Sequence, residues 1–141
     1  MTDISAALRG DVVLRADNRC EYCGLSQIGQ EATFHIDHVK PRAENGPTHT
    51  ENLALVCVSC SLIKGARTHV NDPDTQQEVP LINPREYRWK EHFGWDAERI
   101  IGLTAVGRAT IKALNLNRPL ILEIRREEML RGRHQPPSSA A

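Results

Sequence analysis

The sequence predicts an α+β fold organised around residues 19–68, a segment bracketed by two CxxC pairs. Three features carry this prediction. Cys20/Cys23 and Cys57/Cys60 use all four cysteines of the chain at matched spacing. Between the pairs, β-favouring runs at 33–36 (TFHI) and Leu53–Val56 flank a polar loop, and a helical stretch follows. Outside the pairs, both ends of the chain carry helical periodicity.

At the N-terminus, residues 4–16 place Leu8, Val12 and Ala16 at four-residue spacing with Val13 beside them. Ser5 suits the cap position, so this reads as a packing helix. Asp17-Asn18-Arg19 ends it, and Gly24 suits the turn of the first cysteine knuckle. If the strand at 33–36 continues regularly, His35 and Asp37 project to one side and Phe34, Ile36 and His38 to the other. Pro41 ends its pairing, and Asn45-Gly46-Pro47 punctuates the loop at 43–51. Ser59 to Ala66 reads as a helix.

Residues 68–84 are rich in Asp, Pro, Asn and Gln and predict an ordered surface excursion, with Trp89, Phe93 and Trp95 as core or lid residues beneath it. Arg99 to Leu103 reads as a strand. Thr104 then caps a helix whose stripe is Val106, Ala109, Ile111 and Leu114. Asn117 as cap and Pro119 in the first turn start a last helix, which Gly132 ends. Residues 135–141 (QPPSSAA) read as a disordered tail, leaving 1–134 as one domain.

The chain has 141 residues, 40% of them hydrophobic but only 4% aromatic, so its apolar core is modest. Lys+Arg and Asp+Glu number 18 each, which gives no global field for a polyanion; any such surface has to be local. No apolar run is long enough for a membrane span, and no targeting segment or repeat is visible, so a cytoplasmic protein is expected.

Two CxxC knuckles bring four thiolates onto one ion, the usual closed shell of a structural zinc (Zn2+) site held by Cys20, Cys23, Cys57 and Cys60. A disulfide framework is the rival, disfavoured by the absence of a secretory signal. Two matched pairs also argue against a redox CxxC. A four-cysteine zinc has no open position and does no chemistry itself. Its intervening segment is long enough to hold structure of its own.

That segment contains Asp37-His38 at a strand end, then Pro41, a Gly-containing loop and Glu51-Asn52-Leu53. In this order, between two CxxC pairs and before a helix, these residues resemble the HNH nuclease family and its ββα-metal finger. The later segments NPREYRWKEHFGW, GLTAVGRATI and LNLNRP are similar to a bacterial subgroup of HNH proteins. The resemblance implies a metal-dependent endonuclease acting on DNA, in which His38 is the general base that takes a proton from water and Asp37 binds magnesium or manganese (Mg2+ or Mn2+). Asn52 would tie the loop and orient His38.

One position departs from the family pattern. Ser61 stands where the family usually carries a further His or Asn ligand, and Ile63 stands where subgroup relatives carry His. The resemblance then implies an ion completed by Ser61, His35 or water. Lys40, Arg42, Lys64 and Arg67 are near enough in sequence to meet phosphates. His49 and His69 read as loop residues, His92 as one among aromatics, and His134 as solvent-exposed. The arginines from Arg118 to Arg133 alternate with glutamates and read as a solvated helix face. A catalytically impaired HNH module that binds DNA and a zinc-stabilised protein-interaction domain are the alternatives.

Overall fold

A computed structural model describes residues 4–137. The first helix, α1, spans Ala6–Arg15, and Ser5 Oγ accepts the Leu8 amide as expected of its cap. Two strands follow, β1 at His35–His38 and β2 at Leu53–Val56, paired antiparallel with His35 opposite Val56 and His38 opposite Leu53. The first strand starts two residues later than the sequence suggested, because side chains hold the backbone of Phe34. Its amide donates to Gln27 Oε1 at 2.7 Å, and its carbonyl accepts from Arg9 at 2.6 Å, while its ring is buried. The second strand is buried along its whole length, which is why it reads as an unbroken apolar run. Next comes α2, Val58–Lys64.

The first knuckle docks on this hairpin through Glu21. Its amide donates to Leu55 O, and its Oε2 accepts the Leu55 amide, both at 2.8 Å. Arg85 pairs with the same buried carboxylate. Trp89 adds a bond from Nε1 to Tyr22 O at 2.9 Å. The C-terminal half of the chain is thereby fastened to the clamp.

That half holds more strand than the sequence predicted. The excursion contains a hairpin, β3 (His69–Asn71) with β4 (Glu78–Pro80). Its turn is anchored by buried Asp72, which accepts from Thr75 and from both Nε and Nη2 of Arg108. After a one-turn helix α3 (Trp89–His92), β5 (Phe93–Asp96) pairs with β6 (Arg99–Gly102), and two helices close the fold, α4 (Ala105–Leu114) and α5 (Pro119–Leu130). Trp89 and Phe93 are core residues, and Trp95 is half-buried against Trp89. Thr104 caps α4 through Gly107 N.

Three expectations for the C-terminal region need correction. Asn117 does not cap α5, whose cap position is Arg118; its amide instead bonds both N and O of Ile100 at 2.8 Å, tying the helix entry to β6. Arg125 is 2% exposed, so the face it occupies is not solvated. It donates to Leu116 O and Glu98 O and lies 5.4 Å over the Trp95 ring. His134 is half-buried, packed edge-on at 4.2 Å from Trp95. The chain after it continues onto the first knuckle, where Pro137 is buried; the rest of the expected tail, 138–141, lies outside the described residues. No helix among the described residues is long and apolar enough to cross a membrane.

Candidate active site and metal centre

The clamp is built by backbone turns that aim sulfur inward. Cys23 N donates to Cys20 Sγ at 3.4 Å, and Cys60 N donates to Cys57 Sγ at 3.5 Å. Gly24 closes the first knuckle at φ +81°, a left-handed turn that favours glycine. A side chain there would also meet Gln135 O. The second knuckle doubles as a helix start, since Cys57 is the cap of α2. All four Sγ atoms lie within 4.8 Å of one another and all four residues are buried. Four thiols stripped of water at this spacing fit a divalent cation, and four sulfurs with no carboxylate select zinc. Burial pushes the Cys20 thiol up and bonds from the other thiols push Cys60 up, whereas such bonds pull Cys23 down; a cation bound among them would supply the charge that draws off the remaining protons.

Across the hairpin, β1 and α2 bring the sequence-predicted residues together in two groups. His35 and Asp37 both face α2. His35 Nδ1 lies 2.9 Å from Ser61 Oγ, and Asp37 Oδ2 lies 3.0 Å from Lys64 Nζ. Burial pushes the Asp37 carboxyl up, and the Lys64 ammonium pulls it back. Lys64 is 2% exposed and faces this carboxylate, so it is not a surface contact for phosphate. Arg67 is likewise committed: its guanidinium donates to Ile63 O, Lys64 O and Ala113 O, closing the ends of α2 and α4.

His38 points the other way, into the loop. Its Nε2 lies 2.9 Å from Thr48 Oγ1 and accepts from Arg42 Nε at 3.3 Å. Burial, and then the Arg42 charge, hold its pKa below the ordinary imidazole value, with Asp37 opposing them. Asn52 does not touch this ring; it fixes the loop that does. Its Oδ1 accepts Lys40 N at 2.9 Å, and its Nδ2 donates to Lys40 O at 3.1 Å and Pro47 O at 2.9 Å. The chain after His38 and the residue before Thr48 are thereby stapled to one buried side chain. Gly46 belongs to the same staple, because a Cβ there would collide with Lys40 O. Lys40 and Arg42 are exposed beside the ring.

Sequence reasoning missed two participants. Thr48 carried no signal beyond a polar loop, and Tyr22 is fully buried near Asp37, whose charge adds to burial in raising the phenol's pKa. The position of Tyr22 between the first two cysteines gave no hint of that proximity.

The arrangement offers a neutral imidazole at the surface, a carboxylate held by an ammonium behind it, and exposed cations alongside. Residues 20–67 match the family model described as HNH endonuclease, a match confined to the clamped segment. No curated protein and no solved structure matches the chain.

Proposed function

We propose that the protein is a DNA endonuclease hydrolysing phosphodiester bonds, with His38 as general base, a reading supported by the match of residues 20–67 to the HNH endonuclease family model. The observation that carries this is the state of His38: half-exposed at the end of β1, tethered at Nε2 by Thr48, and kept neutral by burial and Arg42. A neutral imidazole accepts a proton from water near pH 7. Arg42 and Lys40, exposed beside it, are placed to hold the phosphate, and Asn52 keeps the loop in register. Zinc holds the module together.

Asp37, with His35 and Ser61 on the same side, is the donor set for a magnesium or manganese ion. One carboxylate plus neutral ligands suits a hard ion that keeps most of its water. When bound, such an ion supplies charge stabilisation at the phosphate and leaving oxygen.

Relaxation of supercoiled plasmid tests the proposal. With added Mg2+ or Mn2+ the zinc-loaded protein is expected to nick DNA, and without added ion it is not. Failure to nick with every divalent ion tried, by folded protein, would overturn the nuclease assignment. A binder without efficient cleavage is the second reading. It is favoured by the engagement of Asp37 with Lys64 and of His35 with Ser61, which leaves each candidate ligand already partnered.

That engagement makes a separate prediction. Lys64→Met keeps buried apolar bulk and removes the competing ammonium. It is expected to tighten Mn2+ binding about tenfold, or about 1.4 kcal/mol, in a calorimetric titration. Ser61→Asn, which extends a longer amide oxygen from the same turn, is expected to act in the same direction. Unchanged Mn2+ affinity in both variants would remove Asp37 from the ion's ligands.

A further inference from the structure

Beside the hairpin, a cleft of about 630 Å³ opens between the end of the clamped module and residues 80–87. That size is in the range of pockets that hold small organic groups. One wall carries Lys40 and Asn52, which follow His38 and lock its loop; the other carries Asn83 and Tyr87, which lie outside the segment matched to the family. The cleft therefore begins two residues from the proposed base and is completed by a part of the chain with no role assigned so far.

Its charge is balanced. Lys64 is paired with Asp37 and Arg85 with Glu21, so neither cation contributes a free charge to the cleft. The Arg67 guanidinium keeps its charge while its N–H groups bond helix-end carbonyls. Lys40 and Arg67 are opposed by Glu51 and Glu86, two charges of each sign. A phosphate chain gains little in such a space, and the exposed Lys40 and Arg42 serve it better. A flat neutral ring does gain. Tyr87 is half-buried and braced by His92 at 5.2 Å between ring centroids, a platform held in place, and Pro80 extends its apolar surface.

Resting on the nuclease function proposed above, we infer that this cleft takes an unpaired nucleobase of the strand presented to His38. A base inside a duplex is stacked on both faces and paired along its edge, so it enters only after extrusion; a single-stranded or mismatched base enters directly. The preferred substrate is then DNA with an unpaired nucleotide next to the cleavage point. Stacking on an aromatic contributes about 1–3 kcal/mol per base, which sets the scale of the preference at about tenfold or more.

Fluorescence anisotropy tests this with zinc-loaded full-length protein in a His38→Ala background, so that the probes stay intact. The probes are a labelled single-stranded oligonucleotide, the same sequence with a two-nucleotide bulge in a duplex, and the fully paired duplex. The unpaired probes are expected to bind about tenfold tighter than the duplex. Tyr87→Phe is expected to keep that preference and Tyr87→Ala to abolish it without weakening duplex binding. Tyr87→Leu retains apolar bulk should alanine disturb the fold, and is also expected to lose the preference. Equal binding of paired and unpaired probes, or a preference that survives Tyr87→Leu, overturns the inference. Plasmid nicking separates it from the nuclease proposal. Nicking with indifferent Tyr87 variants sinks the base pocket alone, whereas Tyr87-dependent binding without nicking sinks the nuclease alone.

Discussion

Cys57→Ser is expected to unfold the protein, not merely to weaken it, and removal of zinc by a chelator is expected to do the same. Cys57 joins three structures at once. It follows β2, caps α2 through Cys60 N, and lies 3.7 Å from Cys23 of the other knuckle. What rests on the first knuckle is then released with it, namely the Glu21 bonds to Leu55, the Trp89 bond to Tyr22, and the packing of Pro137 over Gly24. Zinc binding to such a site contributes about 10–16 kcal/mol, the bulk of which is folding free energy. A domain of this size is stable by only about 5–15 kcal/mol in total, and few aromatics are available to replace the loss. Metal analysis is expected to find one zinc per chain. Circular dichroism is expected to lose the native signal on chelation and regain it when zinc is returned. A protein that stays folded while free of zinc would contradict the structural role of the clamp.

The clamp and the α+β fold class were legible in the sequence because each rests on local chemistry. Paired thiols at fixed spacing, Ser5 and Thr104 at helix starts, and Gly24 in a left-handed turn state their roles without reference to the rest of the chain. What escaped depends on partners distant in sequence. Residues 68–84 read as an ordered surface excursion without strands because Asp, Pro and Asn are poor strand formers, yet Asp72 is pinned by Arg108 from α4 and the flanking residues pair. Asn117 looked like a helix cap because Pro119 follows two residues later in the first turn, but Ile100 offers both a donor and an acceptor at the right distance and takes the amide. Arg125 looked solvated among glutamates, and only its carbonyl partners in the turn and on Leu116 draw it inside.

The candidate site divides in the same way. Asp37, His38 and Asn52 were singled out by motif, and their places in the structure follow from the alternation of β1 and the loop that returns to β2. Lys64 and Arg67 were singled out because a cation near a nuclease motif suggests phosphate. In the fold, one neutralises Asp37 and the other closes two helix ends. Charge type was visible in the sequence, but the burial that decides its use was not.

The largest expected effect on activity is that of His38→Ala, which should reduce cleavage about a hundredfold to ten-thousandfold, the usual contribution of a positioned general base. The side chain is half-exposed and among the described residues bonds Thr48 and Arg42, so its loss should leave zinc content and melting temperature unchanged. The pH profile supplies the sharper test. Only neutral imidazole accepts a proton, so the rate should fall as pH drops through the His38 pKa. Burial and Arg42 place that pKa below the ordinary value of about 6.5. The acid limb should therefore have its midpoint below 6.5 and be complete near neutrality. Arg42→Gln removes a positive charge that disfavours imidazolium, so the pKa should rise and the midpoint move to higher pH. Lost phosphate contact would lower the rate at every pH without moving the midpoint, which separates the two roles of Arg42. Thr48→Val should lower the plateau by freeing the ring. The observations that would remove His38 from the base role are wild-type cleavage by His38→Ala, or an acid limb that does not move in Arg42→Gln.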